Sequence, residues 1–317
     1  MGILTTAVGA FPQPVTLRRA RWRLAEGKIE AAELGRLEEQ ARTAVLALQA
    51  SLGLTPVVDG QMDRGDMIGD AARVLDGVDE GGLVRSWGNR YFKRPRVVDE
   101  IARPAAWAVD GWRAAQQAAA GPVRAVLTGP YTLMDGCFDE HYRDREACCR
   151  AFAEVVAVEA QALLAAGATE LQLDEPAAGV RSAEMGLLHE AVARVTEPLA
   201  GLARTWLWAG YGGQGAVLPE LLALPVDVVL LEAVNSGLEP DARLQALPAH
   251  RMLGLGLVDA LDPHVETPDV VRGRIERLLE FVPAERLVAV PDGGLRTLTA
   301  EQARQKLAAL VEAARTV

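Results

Sequence analysis

Short apolar segments that end in an acidic residue recur along the chain, and they constrain the fold more than any other feature. From Glu170 to Leu173 polar and apolar residues alternate, which is the period of a β-strand. Asp174 and Glu175 then follow in succession, and Pro176 ends the strand. The pattern predicts two carboxylates at a strand's carboxyl end, where barrels and open α/β sheets build their sites. The alternative interpretation is that Asp174 is the N-cap of the next helix.

Eight short, mainly apolar strands are predicted, at 4–8, 56–60, 123–128, 171–174, 205–209, 226–232, 253–258 and 287–291. Their nearly continuous apolar character is typical of parallel strands buried on both faces. Helices are predicted between them, at 18–51, 144–166, 182–201, 217–224, 268–281 and 299–315. Alternating strands and helices predict an α/β protein with a closed (β/α)8 TIM barrel, and an open doubly wound sheet is the alternative.

One domain is expected over residues 1–317, because no Gly/Ser-rich linker divides the chain. A long excursion interrupts the βα pattern at about 61–122, and it contains an aromatic segment at 87–93. The predicted strands end in five acids, namely Asp59, Asp174, Glu232, Asp259 and Asp292. In a barrel all five would face one mouth, which would form a negative pocket suited to a cationic ligand or a metal.

Composition excludes several classes of protein. The formal net charge of -10 argues against a nucleic-acid partner, and no apolar run reaches the ~18 residues of a membrane span. The first residues have no basic segment and no long apolar segment, so no signal peptide is expected. Three cysteines, Cys137, Cys148 and Cys149, do not suggest a disulfide framework. A cytoplasmic protein that acts on a small molecule is the expectation; the sequence indicates no oligomeric state.

Five motifs occur in order along the chain and read GAFPQ, DGQMDRGDM, TGPYTL, QLDEPA and PDGGL, beginning at Gly9, Asp59, Thr128, Gln172 and Pro291. With them the chain resembles the catalytic domain of the cobalamin-independent methionine synthase family, above all its short archaeal-type relatives. The resemblance implies a barrel of the methionine synthase and uroporphyrinogen decarboxylase type. It also implies transfer of a methyl group from a folate or corrinoid donor to a thiol activated by zinc.

The zinc ligands of that family are mostly replaced here. The resemblance places its His and first Cys at Trp208 and Gly210, its Glu at Glu232, and its last Cys at Gly293. One carboxylate does not make a tetrahedral zinc site, so we expect no structural zinc and no tightly bound cofactor. Homocysteine would then have no route to its thiolate at neutral pH. A weaker oxygen-ligand site for magnesium or calcium at the acids is the alternative.

Both substrate sites of the family are also altered. Its Ser in the first motif is Ala10, its ammonium-binding Glu is Gln61, and the Trp that stacks on the folate corresponds to Gly136. Asp174 is retained. Trp208 follows Trp206 on the same side of its strand and is either filler of the barrel core or an aromatic wall for a flat or cationic ligand.

The resulting hypothesis is a zinc-independent transferase that moves a methyl or other one-carbon group to a small amine-bearing or other non-thiol acceptor. The predicted catalytic residues are Asp174, Glu232 and Asp292. The predicted substrate-binding residues are Asp59, Gln61, Arg64, Glu175, Trp208, Tyr211 and Asp259. The predicted donor-binding residues are Arg18, Lys93 and Tyr131, and Arg64 and Lys93 would hold an anionic group. A lyase acting on an amino-acid-like or polar aromatic molecule and a non-catalytic ligand-binding homologue are the alternatives.

Overall fold

A curled parallel sheet lies at the centre of the computed structural model, which describes residues 2–85 and 91–317. Within these ranges the strands are β1 (Leu4–Thr5), β2 (Asp76–Asp79), β3 (Leu83–Arg85), β4 (Tyr91–Lys93), β5 (Arg96–Ala102), β6 (Ala125–Thr128), β7 (Phe138–Asp139), β8 (Glu170–Asp174), β9 (Arg204–Ala209), β10 (Val228–Leu231), β11 (Met252–Gly256) and β12 (Leu287–Val290). The sheet has the order β1-β12-β11-β10-β9-β8-β6, and each pair is parallel.

The segment around Val57 closes this sheet into a barrel. The amide of Thr55 donates to the carbonyl of Thr5 at 2.9 Å, on the β1 side. On the other side Val57 forms a parallel bridge to Val123, and the amide of Arg124 donates to the carbonyl of Val57 at 2.8 Å. The predicted strand 56–60 is therefore reduced to one bridge, but it occupies the expected eighth position. The closed TIM-barrel prediction is confirmed, and the open sheet is not formed.

Helices cover the outside of the barrel. The described α-helices are α1 (Val15–Ala25), α2 (Ala31–Leu52), α3 (Met67–Ala72), α4 (Val109–Ala118), α5 (Pro130–Gly136), α6 (Arg145–Ala165), α7 (Met185–Thr196), α8 (Leu218–Leu222), α9 (Pro268–Leu279) and α10 (Ala300–Arg315). The single helix predicted at 18–51 is in fact two helices, because Gly27 adopts a left-handed conformation with φ of 67° after α1. In the described part of the chain no helix is long and apolar enough to cross a membrane.

The described part of the excursion at 61–122 contains α3, α4 and strands of two small sheets. β2 pairs with β5, β5 pairs with β7, and β3 pairs with β4 in a hairpin. Ile68 of α3 and Trp112 of α4 belong to the main hydrophobic core, so the excursion packs against the barrel. Residues 87–90 of the predicted aromatic segment lie outside the described residues, whereas Tyr91 to Lys93 form β4.

Alternate residues of each strand separate into two buried layers. Leu171 and Leu173 of β8 pack outward in the main core beneath the helices. The barrel interior holds a separate apolar cluster formed by Val8, Trp206, Trp208, Val228, Leu230, Val288 and Val290. Gln172 points inward, since its Nε2 donates to the carbonyl of Val8 across the barrel at 2.9 Å. A two-residue period therefore places Asp174 on the interior side as well.

Candidate active site at the barrel mouth

A cavity of about 430 Å³ opens at the carboxyl ends of the barrel strands. Six of the predicted site residues line it, namely Gln61, Asp174, Trp208, Tyr211, Glu232 and Asp292. Its charged lining in the described ranges is four carboxylates and one guanidinium, from Asp66, Asp174, Glu232, Asp292 and Arg296. The mouth is therefore acidic, with Asp174, Glu232 and Asp292 from the predicted strand ends and Asp66 from the excursion.

Asp174 ends β8 inside the barrel, with its side chain only 4% exposed. Gln172 lies two residues earlier on the same face, and its Nε2 donates to Oδ1 of Asp174 at 2.6 Å. Burial raises the pKa of Asp174 to about 6, and the hydrogen bond from Gln172 opposes that rise. The short 3-10 helix that follows, Pro176–Gly179, has no side-chain cap, so the cap interpretation of Asp174 is wrong. Its carboxylate belongs to the cavity.

Glu232 follows β10 and joins two loops at the mouth. Its Oε2 accepts the amide of Gly212 at 3.0 Å, and its Oε1 accepts from Nδ2 of Asn235 at 2.7 Å. The side chain is buried and lines the cavity. Two hydrogen bonds fix the carboxylate in one orientation, as required of a group that holds a cation or accepts a proton.

Asp292 anchors the loop that follows Glu232. Its Oδ1 accepts the amides of Ala233 and Val234, both at 2.9 Å, and its Oδ2 accepts the amide of Asn235 at 2.7 Å. Burial raises the pKa of Asp292 to about 6, and these three amides oppose the rise. Burial is the largest cause of the raised pKa at both Asp174 and Asp292, ahead of repulsion from neighbouring acids.

Trp208 fills the space beside the positions that correspond to the family's zinc ligands. A Cβ built on Gly210 would lie 2.7 Å from Cη2 of Trp208 and 2.9 Å from its Cε2. A Cβ built on Gly293 would lie 3.0 Å from Cζ2 of the same ring. Indole Nε1 donates to the carbonyl of Asp292 at 3.0 Å, which holds the ring in place. The three replacements are thus one structural unit, in which two glycines make room for one indole.

Zinc does not fit the residues at these positions. Trp208, Gly210 and Gly293 carry no thiolate or imidazole, and both oxygens of Glu232 already accept hydrogen bonds. Over the described ranges, no group of three or more His, Cys, Asp or Glu side chains is arranged to hold a metal ion. Both interpretations of Trp208 apply in part, because it belongs to the apolar cluster of the barrel interior and also lines the cavity, whereas Trp206 lies wholly in the core and donates to Glu170.

Two non-glycine residues of the mouth have the left-handed backbone conformation, which residues with a side chain rarely adopt. Gln61 has φ of 52° and Tyr211 has φ of 63°. Conformations of this kind cost on the order of 1–3 kcal/mol each and cluster at functional sites. Tyr211 packs against Trp208 with perpendicular rings, whose centroids are 5.5 Å apart. Both residues with this backbone conformation line the cavity.

Several predicted site residues lie elsewhere, and their expected place at the mouth is corrected. Asp59 and Arg64 line a smaller cavity of about 190 Å³ between the barrel and the excursion. Glu175 is fully buried and accepts the amides of Tyr131 and Thr132 at 3.0 and 2.7 Å. Glu175 therefore stabilises the N-terminus of α5, where backbone amides lack partners. It points away from the cavity because it follows Asp174 by one residue.

The expected donor site does not form around the cavity either. The hydroxyl of Tyr131 donates to Glu184 at 2.8 Å beneath the surface of α5. Arg18 is exposed on α1, and Lys93 pairs with Glu80 on the excursion. Asp259 accepts the amides of residues 261 and 262, so it stabilises the turn after β11. None of these four side chains lines the mouth.

The structure adds cavity residues that were not predicted. Asp66 and the apolar Met67 and Ile68 come from the start of α3, and Arg296 comes from the loop after β12. Nη1 and Nη2 of Arg296 donate to the carbonyls of Gly65 and Gln61 at 2.9 and 3.0 Å. Arg296 follows the PDGGL motif directly, and that position was the available signal for it.

The fold and the motifs agree with comparisons to known proteins. The family described as cobalamin-independent synthase, catalytic domain, matches residues 3–316. The methionine synthase of Saccharolobus solfataricus is 30% identical over 315 residues, which cover 99% of this chain and 94% of that one. The 5-methyltetrahydropteroyltriglutamate–homocysteine methyltransferase of Streptomyces griseus is 31% identical over 323 residues, and the chain spans 42% of its length.

Solved structures show the same fold at lower sequence identity. A B12-independent methionine synthase from Shewanella sp. W3-18-1, in complex with selenomethionine, has a TM-score of 0.88 at 24% identity and covers 100% of this chain and 98% of that one. A putative vitamin-B12 independent methionine synthase from Listeria monocytogenes has a TM-score of 0.83 at 21% identity, with 98% and 96% covered. The chain therefore belongs to the cobalamin-independent methionine synthase family, whose catalytic domain it matches almost from end to end.

Proposed function

We propose that this protein is a zinc-independent transferase of the family, which moves a methyl or other one-carbon group to a small non-thiol acceptor that bears an amine. Methyl transfer is the reaction of the methionine synthases to which the chain is related. The cavity of about 430 Å³ suits a small molecule, and its carboxylates suit a cation.

The observation that carries the proposal is the position of the Trp208 indole. The ring lies where side chains at Gly210 and Gly293 would project, and no thiolate or imidazole remains there. A thiol is poorly ionised at neutral pH unless a metal or a cationic neighbour lowers its pKa. An amine acceptor needs no metal, because a carboxylate can take the proton from its ammonium form, and the neutral amine that results is a nucleophile.

Asp174 and Glu232 are the proposed acid/base pair. Both carboxylates line the cavity, and hydrogen bonds from Gln172 and from the amide of Gly212 orient them. With a pKa of about 6, Asp174 is mostly ionised at neutral pH and remains basic enough to accept a proton from an ammonium group. Asp292 supports this pair by holding the loop that carries Glu232 and Asn235.

The test combines elemental analysis with turnover. We expect much less than one zinc per chain after mild chelation, and no methionine from homocysteine with methyltetrahydrofolate or methylcobalamin. The methionine synthase of Saccharolobus solfataricus, treated identically, is the positive control. About one zinc per chain together with multiple turnovers to methionine would show the protein to be a methionine synthase and would refute the proposal.

A further inference from the structure

We infer that the one-carbon donor is an onium compound, a quaternary ammonium or sulfonium ion, whose charged centre lies against the rings of Trp208 and Tyr211 on the cavity side, near Glu232. The inference rests on the proposed function and adds the chemical class of the donor. Four features of the cavity support this inference. They are the aromatic rings, the charge balance, the apolar surface near the rings, and Gly136, which replaces the Trp on which the family's folate stacks.

The two aromatic rings pack edge to face. The ring centroids of Trp208 and Tyr211 are 5.5 Å apart, with an interplanar angle of 87°. Trp208 is 4% exposed and forms the inner wall, whereas Tyr211 is 43% exposed and forms the rim. Aromatic faces that enclose a corner in this way recognise quaternary ammonium ions, because the negative face of each ring attracts diffuse positive charge.

The charge balance of the cavity also favours a cation. Its described lining has four carboxylates and one guanidinium, and the Arg296 guanidinium already donates to two backbone carbonyls. Glu232 lies next to the aromatic corner, because its Oε2 accepts the amide of Gly212, the residue after Tyr211. Such a site places a fixed negative charge within reach of a cation held by the rings.

The apolar surface distinguishes an onium centre from a free ammonium group. Ala10, Met67, Ile68, Ala260 and Leu261 line the cavity together with the two rings. These apolar side chains offer no acceptors, and an ammonium group, which needs acceptors for three N–H bonds, is costly to bury against this part of the wall. An onium centre has no N–H bonds, so apolar contacts and aromatic faces satisfy it.

The donor side of the cavity is not built for a folate. Gly136 corresponds to the family's stacking Trp, and Ile68 occupies the adjoining space, since a Cβ on Gly136 would lie 2.5 Å from its Cδ1. Lys93, expected to hold an anionic donor, pairs with Glu80 on the excursion. A small cationic donor needs neither the aromatic platform at 136 nor that lysine.

The proposed methyl transfer from the onium donor to the amine is balanced without a metal. The bond from the methyl carbon to the donor nitrogen or sulfur breaks, and its electron pair stays on that atom, which becomes a neutral amine or sulfide. The acceptor nitrogen supplies the lone pair for the new carbon bond and then loses a proton to Asp174 or Glu232, which passes it to water. The positive charge of the donor activates its own methyl group.

The experiment is calorimetric titration with choline and with its neutral isostere 3,3-dimethylbutan-1-ol, at constant ionic strength. We expect choline to bind at least about tenfold more tightly, which is the scale of a cation–π contribution. Trimethylsulfonium is titrated in parallel, and the tighter of the two onium ions identifies the donor as an ammonium or a sulfonium. Equal binding of choline and the alcohol, or no binding of either onium ion, would overturn the inference.

Variants of Tyr211 and Glu232 test where choline binds. Tyr211→Leu should weaken choline binding about tenfold, whereas Tyr211→Phe, which keeps the ring and the same backbone demand, should stay within about twofold. Glu232→Gln should weaken choline but leave the alcohol unchanged. Circular dichroism verifies folding, and unchanged choline binding in both Tyr211→Leu and Glu232→Gln would place the ion elsewhere and refute the site. Zinc content and homocysteine turnover are independent readouts, so the proposed function and this inference can fail separately.

Discussion

The indole of Trp208 lies against Gly210 so closely that a Cβ at residue 210 would be 2.7 Å from Cη2 of the ring. We therefore expect Gly210→Ala to reduce the free energy of unfolding by about 1–3 kcal/mol, the usual cost of overpacking a core. In a Trp208→His background the same substitution should cost much less, because the ring is gone. Urea unfolding of the double-mutant cycle measures this coupling.

Gly273→Ala is the matched control for that cycle. Gly273 lies within α9, and a Cβ there would meet nothing within 4 Å. Alanine is the better helix former, so this substitution should stabilise by up to about 1 kcal/mol. Additive costs for Gly210→Ala and Trp208→His would contradict the view that these residues form one unit.

Asp174→Asn should separate chemistry from folding. The substitution removes a buried charge but also weakens the hydrogen bond with Gln172, so the melting temperature should be unchanged or slightly raised at neutral pH. Loss of a positioned acid or base should lower the rate of one-carbon transfer by ~100-fold or more. Glu232→Gln should behave in the same way. A stable and fully active Asp174→Asn protein would mean that the chemistry lies elsewhere.

The buried acids also predict how stability depends on pH. Burial raises the pKa of Asp174 to about 6, whereas an unfolded Asp titrates near about 3.9. Between these values the folded protein holds a proton that the unfolded chain has released. The contribution of Asp174 is therefore fully present below about pH 4 and is lost as pH rises through about 6.

Asp174→Asn should remove this dependence. Relative to the parent, the variant should gain on the order of 3 kcal/mol in free energy of unfolding between about pH 4 and pH 7, since one pKa unit corresponds to about 1.4 kcal/mol. Urea unfolding at several pH values measures the gain. A difference between the two proteins that stays constant with pH would show that the pKa of Asp174 is not raised.

Asp292→Ala should destabilise the protein by about 2 kcal/mol or more. The carboxylate accepts three backbone amides from residues 233–235, and its removal leaves all three without this acceptor, the buried amide of Ala233 among them. Asp262→Ala is the control, because that exposed side chain accepts one amide, from His264, and its loss should cost less than about 0.5 kcal/mol. Equal stability of Asp292→Ala and the parent in chemical denaturation would exclude the anchoring role.

The family's motifs alone do not explain why the residues that correspond to three of its four zinc ligands are all replaced. From the sequence, Trp208, Gly210 and Gly293 are three separate replacements. In the structure they are one packed unit, because residues 208 and 293 meet across the barrel from β9 and the loop after β12. Such complementarity depends on side-chain volumes at positions far apart in the chain, and a pattern along one strand does not contain it.

The sequence by itself determined the barrel and the inward direction of Asp174. Strand period is a local property, so the alternation from Glu170 to Asp174 was enough to place that carboxylate on the interior. Tertiary structure alone decided which other residues share the cavity. Ile68 reaches it from the excursion and Arg296 from a loop, whereas Glu175 is diverted to α5. Loops and insertions follow no short period, so only the folded packing of the whole chain fixes where their side chains lie.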